Sequence, residues 1–218
     1  RVYGSNNLIG GGAPADRNII GNSQQGVYVS GGTGNRISGN FVGVGFTGSV
    51  SRANSTGVLV TGGAVQTVIG TNSDGIADGQ EGNIVSGNSG MGIYVAGASG
   101  TLVAGNIAGL SAAGNQAVSN GFWGIGLYNS QDSTIDSNLV SGNNQGGIFV
   151  RGASSRSIII SSNLVGVAAD GKTPFGNAYT GITLNDWGFS GDGPSSVQVL
   201  GNVVSANREY GAVSYTHL

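Results

Sequence analysis

Apolar residues fall in short, regularly returning groups along this chain. One group is a pair of aliphatic residues directly after an asparagine. The other is an alternating trio that follows a glycine. The first copy is Asn18-Ile19-Ile20-Gly21-Asn22, then Gly26-Val27-Tyr28-Val29. The motif returns as Asn83-Ile84-Val85-Ser86-Gly87-Asn88 with Gly92-Ile93-Tyr94-Val95, and as Asn138-Leu139-Val140-Ser141-Gly142-Asn143 with Gly147-Ile148-Phe149-Val150. A fourth copy runs Asn202-Val203-Val204-Ser205-Ala206-Asn207, then Gly211-Ala212-Val213. Between these stand Asn40 before Phe41-Val42, Asn106 before Ile107-Ala108 and Asn163 before Leu164-Val165. Their later strands are Gly57-Val58-Leu59-Val60, Gly124-Ile125-Gly126-Leu127 and Gly181-Ile182-Thr183-Leu184.

The period within each trio is two, which predicts strands and not helices. It also places Val27, Val29, Val58, Val60, Ile93, Val95, Ile125, Leu127, Ile148, Val150, Ile182 and Leu184 on one face. Tyr28, Tyr94 and Phe149 fall on the other. Ile37, Val103 and Ile159 form a second expected interior row. The asparagines are 22, 23 and 25 residues apart in the short half-units (40−18, 106−83, 163−138). They are 43, 32 and 39 apart in the long ones (83−40, 138−106, 202−163). Two or three short strands with turns fill about 22 residues, one coil of a β-solenoid. The pattern therefore predicts an all-β, right-handed parallel β-helix of about seven coils over residues 1–213, with short and long coils alternating. The non-repeat tail, residues 214–218, resembles translated sequencing-adapter read-through, and no role is assigned to His217. The chain opens at Arg1 and is read as a piece of a longer protein, whose remaining coils would stack on both ends.

Stacked coils bring Asn18, Asn40, Asn83, Asn106, Asn138, Asn163 and Asn202 into one column. A side-chain amide both donates and accepts, so this column is expected to be a hydrogen-bonded ladder along the axis.

Composition supports the turn-rich reading. Glycine supplies 44 of 218 residues and charged residues only 8%, against averages of roughly 7% and 25%. The formal net charge is −2 with a single lysine, Lys172. No basic stripe exists, so nucleic acid is not an expected partner. No apolar run reaches the roughly 18 residues of a membrane span. The chain has no cysteine, which excludes disulfides and thiolate metal sites.

These repeats resemble the right-handed β-helix repeats of large bacterial extracellular proteins, within the pectin-lyase-fold superfamily. The glycine-rich segments Gly43-Val44-Gly45-Phe46-Thr47-Gly48 and Gly166-Val167-Ala168-Ala169-Asp170-Gly171 add to the resemblance, as do Leu8-Ile9-Gly10-Gly11 and Val68-Ile69-Gly70. The resemblance spans roughly residues 5 to 213 and implies an extracellular or cell-surface location. The superfamily includes polysaccharide lyases, hydrolases, epimerases, tailspikes and adhesins.

Two functions fit. One is a non-catalytic structural or adhesive segment that contacts polysaccharide or a cell-surface glycan. The other is a carbohydrate-active enzyme, a lyase or glycoside hydrolase, with its catalytic residues partly outside this segment. A β-helix glycosidase needs clustered carboxylates. Polygalacturonase-like signatures (Asn-Thr-Asp, Asp-Asp, Gly-His-Gly, Arg-Ile-Lys) are absent, which favours the first. The expected glycan surface is the outward column of Tyr28, Tyr94 and Phe149, with Trp123 and Trp187 in the long-coil loops. Arg151 and Arg156 lie in the same coil as Phe149 and are expected either to serve solubility or to meet acidic sugars. The competing reading is that these aromatics pack against loops. No cofactor is expected. The densest acidic group, Asp74, Asp78 and Glu81, is either a solvated loop or, less in keeping with its spacing, a calcium site.

Overall fold

The computed structural model describes residues 1–184 and 193–214. Their strands form three parallel sheets of seven strands each, and every coil contributes one strand to each sheet. The first sheet is built from Leu8–Gly10, Arg36–Ser38, Val68–Gly70, Leu102–Ala104, Thr134–Asp136, Arg156–Ser161 and Ser195–Leu200. The second holds Ile19–Ile20, Phe41–Val42, Ile84–Val85, Ile107–Ala108, Leu139–Val140, Leu164–Val165 and Val203–Val204. The third holds Gln25–Ser30, Thr56–Thr61, Ile93–Ala96, Ile125–Tyr128, Ile148–Arg151, Ile182–Leu184 and Ala212–Ser214. Read in chain order these are coils 1 to 7 of a right-handed parallel β-helix.

Register follows the alternation. Ile93, Ile125, Ile148 and Ile182 pair in succession, as do Val95, Leu127, Val150 and Leu184. The inward residues form one continuous core, in which Val29, Val58, Val60, Ile93, Val95, Ile125, Leu127, Ile148 and Val150 have no exposed surface. Leu184 is partly buried against the same core.

The expected second interior row needs one correction. Ile37 and Val103 are fully buried, but Ile159 is 38% exposed, and Ile158 and Ile160 take the interior. The corner asparagine sets the phase. Ile37, Val103 and Ile160 each lie three residues before their asparagine (Asn40, Asn106, Asn163), whereas Ile159 lies four before. A displacement of one residue turns a side chain to the opposite face.

The corner between the first and second sheets carries the asparagine ladder. Nδ2 of Asn40 donates to Oδ1 of Asn83 at 3.0 Å, Asn83 to Asn106 at 2.9 Å, Asn106 to Asn138 at 3.0 Å and Asn138 to Asn163 at 3.0 Å. Asn18 opens the column at 2.9 Å and Asn163 reaches Asn202 at 2.8 Å. Each Oδ1 accepts a second bond from the backbone N–H of the preceding coil's asparagine, as in Asn106 to Asn138 at 2.9 Å.

A second ladder occupies the corner between the second and third sheets. Asn54 donates to Asn88, Asn88 to Asn120, Asn120 to Asn143, Asn143 to Asn177 and Asn177 to Asn207, at 2.8–3.0 Å. The glycine that opens each third-sheet strand lets the coils approach. A Cβ on Gly92 would stand 2.6 Å from the Gly124 carbonyl oxygen and 2.8 Å from Asn120 Nδ2.

The extra length of coils 2, 4 and 6 lies between the second and third sheets. It folds into small antiparallel hairpins closed by Val44 with Ser51, Leu110 with Ala117 and Val167 with Pro174. These hairpins stack on one another two coils apart. The Ala112 N–H donates to the Gly48 carbonyl at 2.9 Å, and the Ala169 N–H to the Gly114 carbonyl at 3.0 Å. Beneath them Phe41, Val44, Ile84 and Val118 make a second, smaller core outside the coil.

Candidate functional site: a cleft beside the third sheet

The outer face of the third sheet holds the aromatic column. Tyr28, Leu59, Tyr94, Gly126, Phe149 and Thr183 occupy one register position in successive coils. Tyr28 is half-buried: Tyr3 meets its ring edge-on at 6.3 Å, and the Arg1 guanidinium lies 5.5 Å from its centroid. Tyr94 and Phe149 approach to 6.3 Å although a coil separates them. Gly126 in that coil has no side chain, and Phe149 leans into the space; a Cβ there would be 2.2 Å from the Phe149 ring. Trp123 then stands edge-on over Phe149 at 5.3 Å. Phe149 is 4% and Trp123 8% exposed. Burial is the main cause that raises the Tyr94 phenol above its usual range; Tyr128 adds to it and Arg151 opposes it.

Arg151 lies on the same strand, two residues after Phe149. Its guanidinium is 4.7 Å from the Phe149 centroid and 5.3 Å from that of Trp123. Cation–π geometry of this kind orients the planar head. Arg156 is exposed on the first sheet, away from this group.

Next to this cluster a cleft of about 420 Å³ opens along coils 4 to 7. Trp123 and Arg151 line it, joined by Gln145, Tyr179, Thr180, Thr183, Glu209 and Tyr210. The Thr180 and Thr183 hydroxyls are 2.7 Å apart. Of the residues expected at a glycan surface, the structure therefore brings Trp123 to the cleft. Tyr28 lies in coil 1, outside the cleft, and Trp187 lies outside the described residues. Gln145, Tyr179, Thr180, Glu209 and Tyr210 stand one or two residues before the strand glycines Gly147, Gly181 and Gly211. That fixed offset was the available signal, because the glycine starts the third-sheet strand and the residues before it rim the outer face.

The acidic loop has its carboxylates engaged elsewhere. Asp74 accepts from Asn72 Nδ2 at 2.8 Å and from the Ile76 N–H at 2.8 Å, which hold its carboxyl below the usual range. Asp78 accepts from the Thr71 hydroxyl at 2.8 Å and from the Gly75 N–H at 3.0 Å. Glu81 is buried in an ion pair with Arg36. Among the described residues, no group of three or more His, Cys, Asp or Glu side chains could hold a metal ion.

No curated protein matches the chain. Among solved structures it is similar to a mutant of the periplasmic alginate epimerase AlgG. The TM-score is 0.52 and the identity 16%, over 99% of this chain and 47% of that one. A weaker likeness is to the A-module of the Azotobacter vinelandii mannuronan C-5 epimerase AlgE4. There the TM-score is 0.31 and the identity 13%, over 93% of this chain and 63% of the other. The chain thus spans about half the length of the AlgG structure it resembles, and the first likeness speaks for the fold. Residues 11–217 match the family described as periplasmic copper-binding protein (NosD), and the chain belongs to that family.

Proposed function

We propose that this chain is a non-catalytic β-helix segment, working outside the cytoplasm, that holds an extended polysaccharide in the cleft beside the third sheet. The observation that carries this reading is the cleft itself. Its lining spans four coils, with Tyr179 and Tyr210 beside the buried Trp123 and hydrogen-bonding groups from Gln145, Thr180, Thr183 and Glu209. Aromatic faces suit the apolar faces of sugar rings, and the polar groups suit their hydroxyls. A periplasmic family and a periplasmic alginate epimerase of the same fold support the location and the ligand class.

Catalysis is not part of the proposal. Glycoside hydrolysis uses two carboxylates across the bond to be broken, and Glu209 is the one carboxylate among the described lining residues. Copper does not fit the donors among the described residues. Copper sites draw on imidazole, thiolate and thioether ligands. The described residues contain no histidine and no cysteine, and the chain's one methionine, Met91, places its methyl beside Gly126.

The test is calorimetric titration with cellohexaose, chitohexaose and hexamannuronate, with each mixture then assayed for new reducing ends and unsaturated sugar ends. Saturable binding without product is the expected result. Product formation would replace this reading with the carbohydrate-active one.

A further inference from the structure

The residues two positions before the strand glycines form a column of their own. Phe122, Gln145, Tyr179 and Glu209 belong to coils 4, 5, 6 and 7, and their backbones are bonded in sequence. The Gln145 N–H donates to the Phe122 carbonyl at 3.2 Å, Tyr179 to Gln145 at 2.8 Å and Glu209 to Tyr179 at 3.1 Å. The column is therefore in strict register, with neighbours about 4.8 Å apart. Its side chains alternate between aromatic and polar. The aromatic members are open to solvent, Phe122 at 51% and Tyr179 at 43%. This differs from the neighbouring column, where Trp123 folds down over Gly146 and Phe149 and is buried.

Two exposed rings two coils apart are separated by about 10 Å. That is the length scale of two sugar rings in an extended chain. A polar side chain that can donate or accept follows each ring. We propose that the polysaccharide lies parallel to the helix axis, one sugar per coil, with Phe122 and Tyr179 stacking on alternate rings. Gln145 and Glu209 then meet the hydroxyls of the intervening rings. Such a track suits a straight, ribbon-like glycan that presents equivalent faces every second residue, and it does not suit a coiled or branched one. The inference rests on the glycan reading of the cleft, extends it to Phe122, which is not one of the cleft's lining residues, and adds direction, register and ligand shape.

The test uses Phe122→Ala, Tyr179→Ala and the double variant of the full chain. Both rings are exposed, so unchanged thermal unfolding is expected and serves as the folding control. Whichever of cellohexaose, chitohexaose and hexamannuronate binds best is compared with its own disaccharide. With the hexasaccharide, each single variant should bind about tenfold more weakly and the double variant about a hundredfold. With the disaccharide, which cannot span coils 4 to 6, no more than one of the two substitutions should matter. Hexasaccharide binding that falls in Tyr179→Ala but is unchanged in Phe122→Ala would mean the chain crosses the sheet. That outcome overturns the axial track and leaves the cleft reading standing. No binding of any hexasaccharide to the unaltered protein overturns both.

Discussion

Asn138 makes four ladder bonds with its side chain. Its Nδ2 donates to Asn163 Oδ1 and to the Val103 carbonyl, and its Oδ1 accepts from Asn106 Nδ2 and the Asn106 N–H. The residue is 1% exposed, so water has no access to any of these groups once the side chain is gone. Asn202 also accepts twice from Asn163 and donates to the Ile160 carbonyl, but it is only partly buried and, among the described residues, reaches no further asparagine. Each buried group left without a partner costs roughly 1–3 kcal/mol. Asn138→Ala is expected to lose about 2–4 kcal/mol and Asn202→Ala distinctly less, read from urea unfolding midpoints. Equal, negligible losses would make these asparagines ordinary turn residues. At this scale the sequence was informative in one column and silent in the other. The first ladder announces itself because each asparagine immediately precedes two apolar residues. In the second, Asn88, Asn143 and Asn207 read as turn residues, and Asn54, Asn120 and Asn177 sit in loops. The hidden rule is the offset from the first ladder. It is 14 in long coils (54−40, 120−106, 177−163) and 5 in short ones (88−83, 143−138, 207−202).

Those nine extra residues are the hairpins, elements that the apolar pattern did not reveal because each contributes only one bridge. In coil 6 the tip is organised by Asp170, which accepts from the Lys172 and Thr173 N–H groups and from the Thr173 hydroxyl at 2.6–2.8 Å. The Thr173 hydroxyl, followed by the two N–H groups, holds this carboxyl down to about 2, from the ordinary 3.8. A folded-state value below the unfolded one means the ionised form stabilises the turn. That contribution is complete above the ordinary carboxylate range and is lost as pH falls through about 2. A carbon-13 titration should find the Asp170 midpoint well below that of an exposed aspartate. The Thr173 amide should shift along the same curve. A midpoint at the ordinary value would mean that the turn is open in solution. In the acidic loop, too, each of the three carboxylates meets a partner close by: Asn72, Thr71 and Arg36.

On the scale of the whole molecule, stability is a sum of coil-to-coil contacts, and interior coils have two neighbours each. The third-sheet amides of Val58, Ile93, Ile125 and Ile148 all donate to the next coil at 2.8–3.0 Å, over a core with no exposed surface. Apolar residues of the outermost coils remain partly open, with Leu8 60%, Ile19 47%, Leu200 51% and Val203 42% exposed. In these seven coils taken alone, hydrogen exchange should therefore be slowest in coils 3 to 5 and become faster toward coils 1 and 7. Uniform protection from coil 1 to coil 7 would contradict additive stacking. Both ladders also run in one sense: every Nδ2 bond to another asparagine points toward the higher-numbered coil, and every Oδ1 points back. The rod is thus a vector. At the two corners the asparagine donors stand on the low-numbered side of each plane between coils and their acceptors on the high-numbered side, while the backbone donates across the same planes in both senses. Continuing the columns past the high-numbered end therefore takes a side-chain acceptor at each corner, and continuing them past the low-numbered end takes a donor.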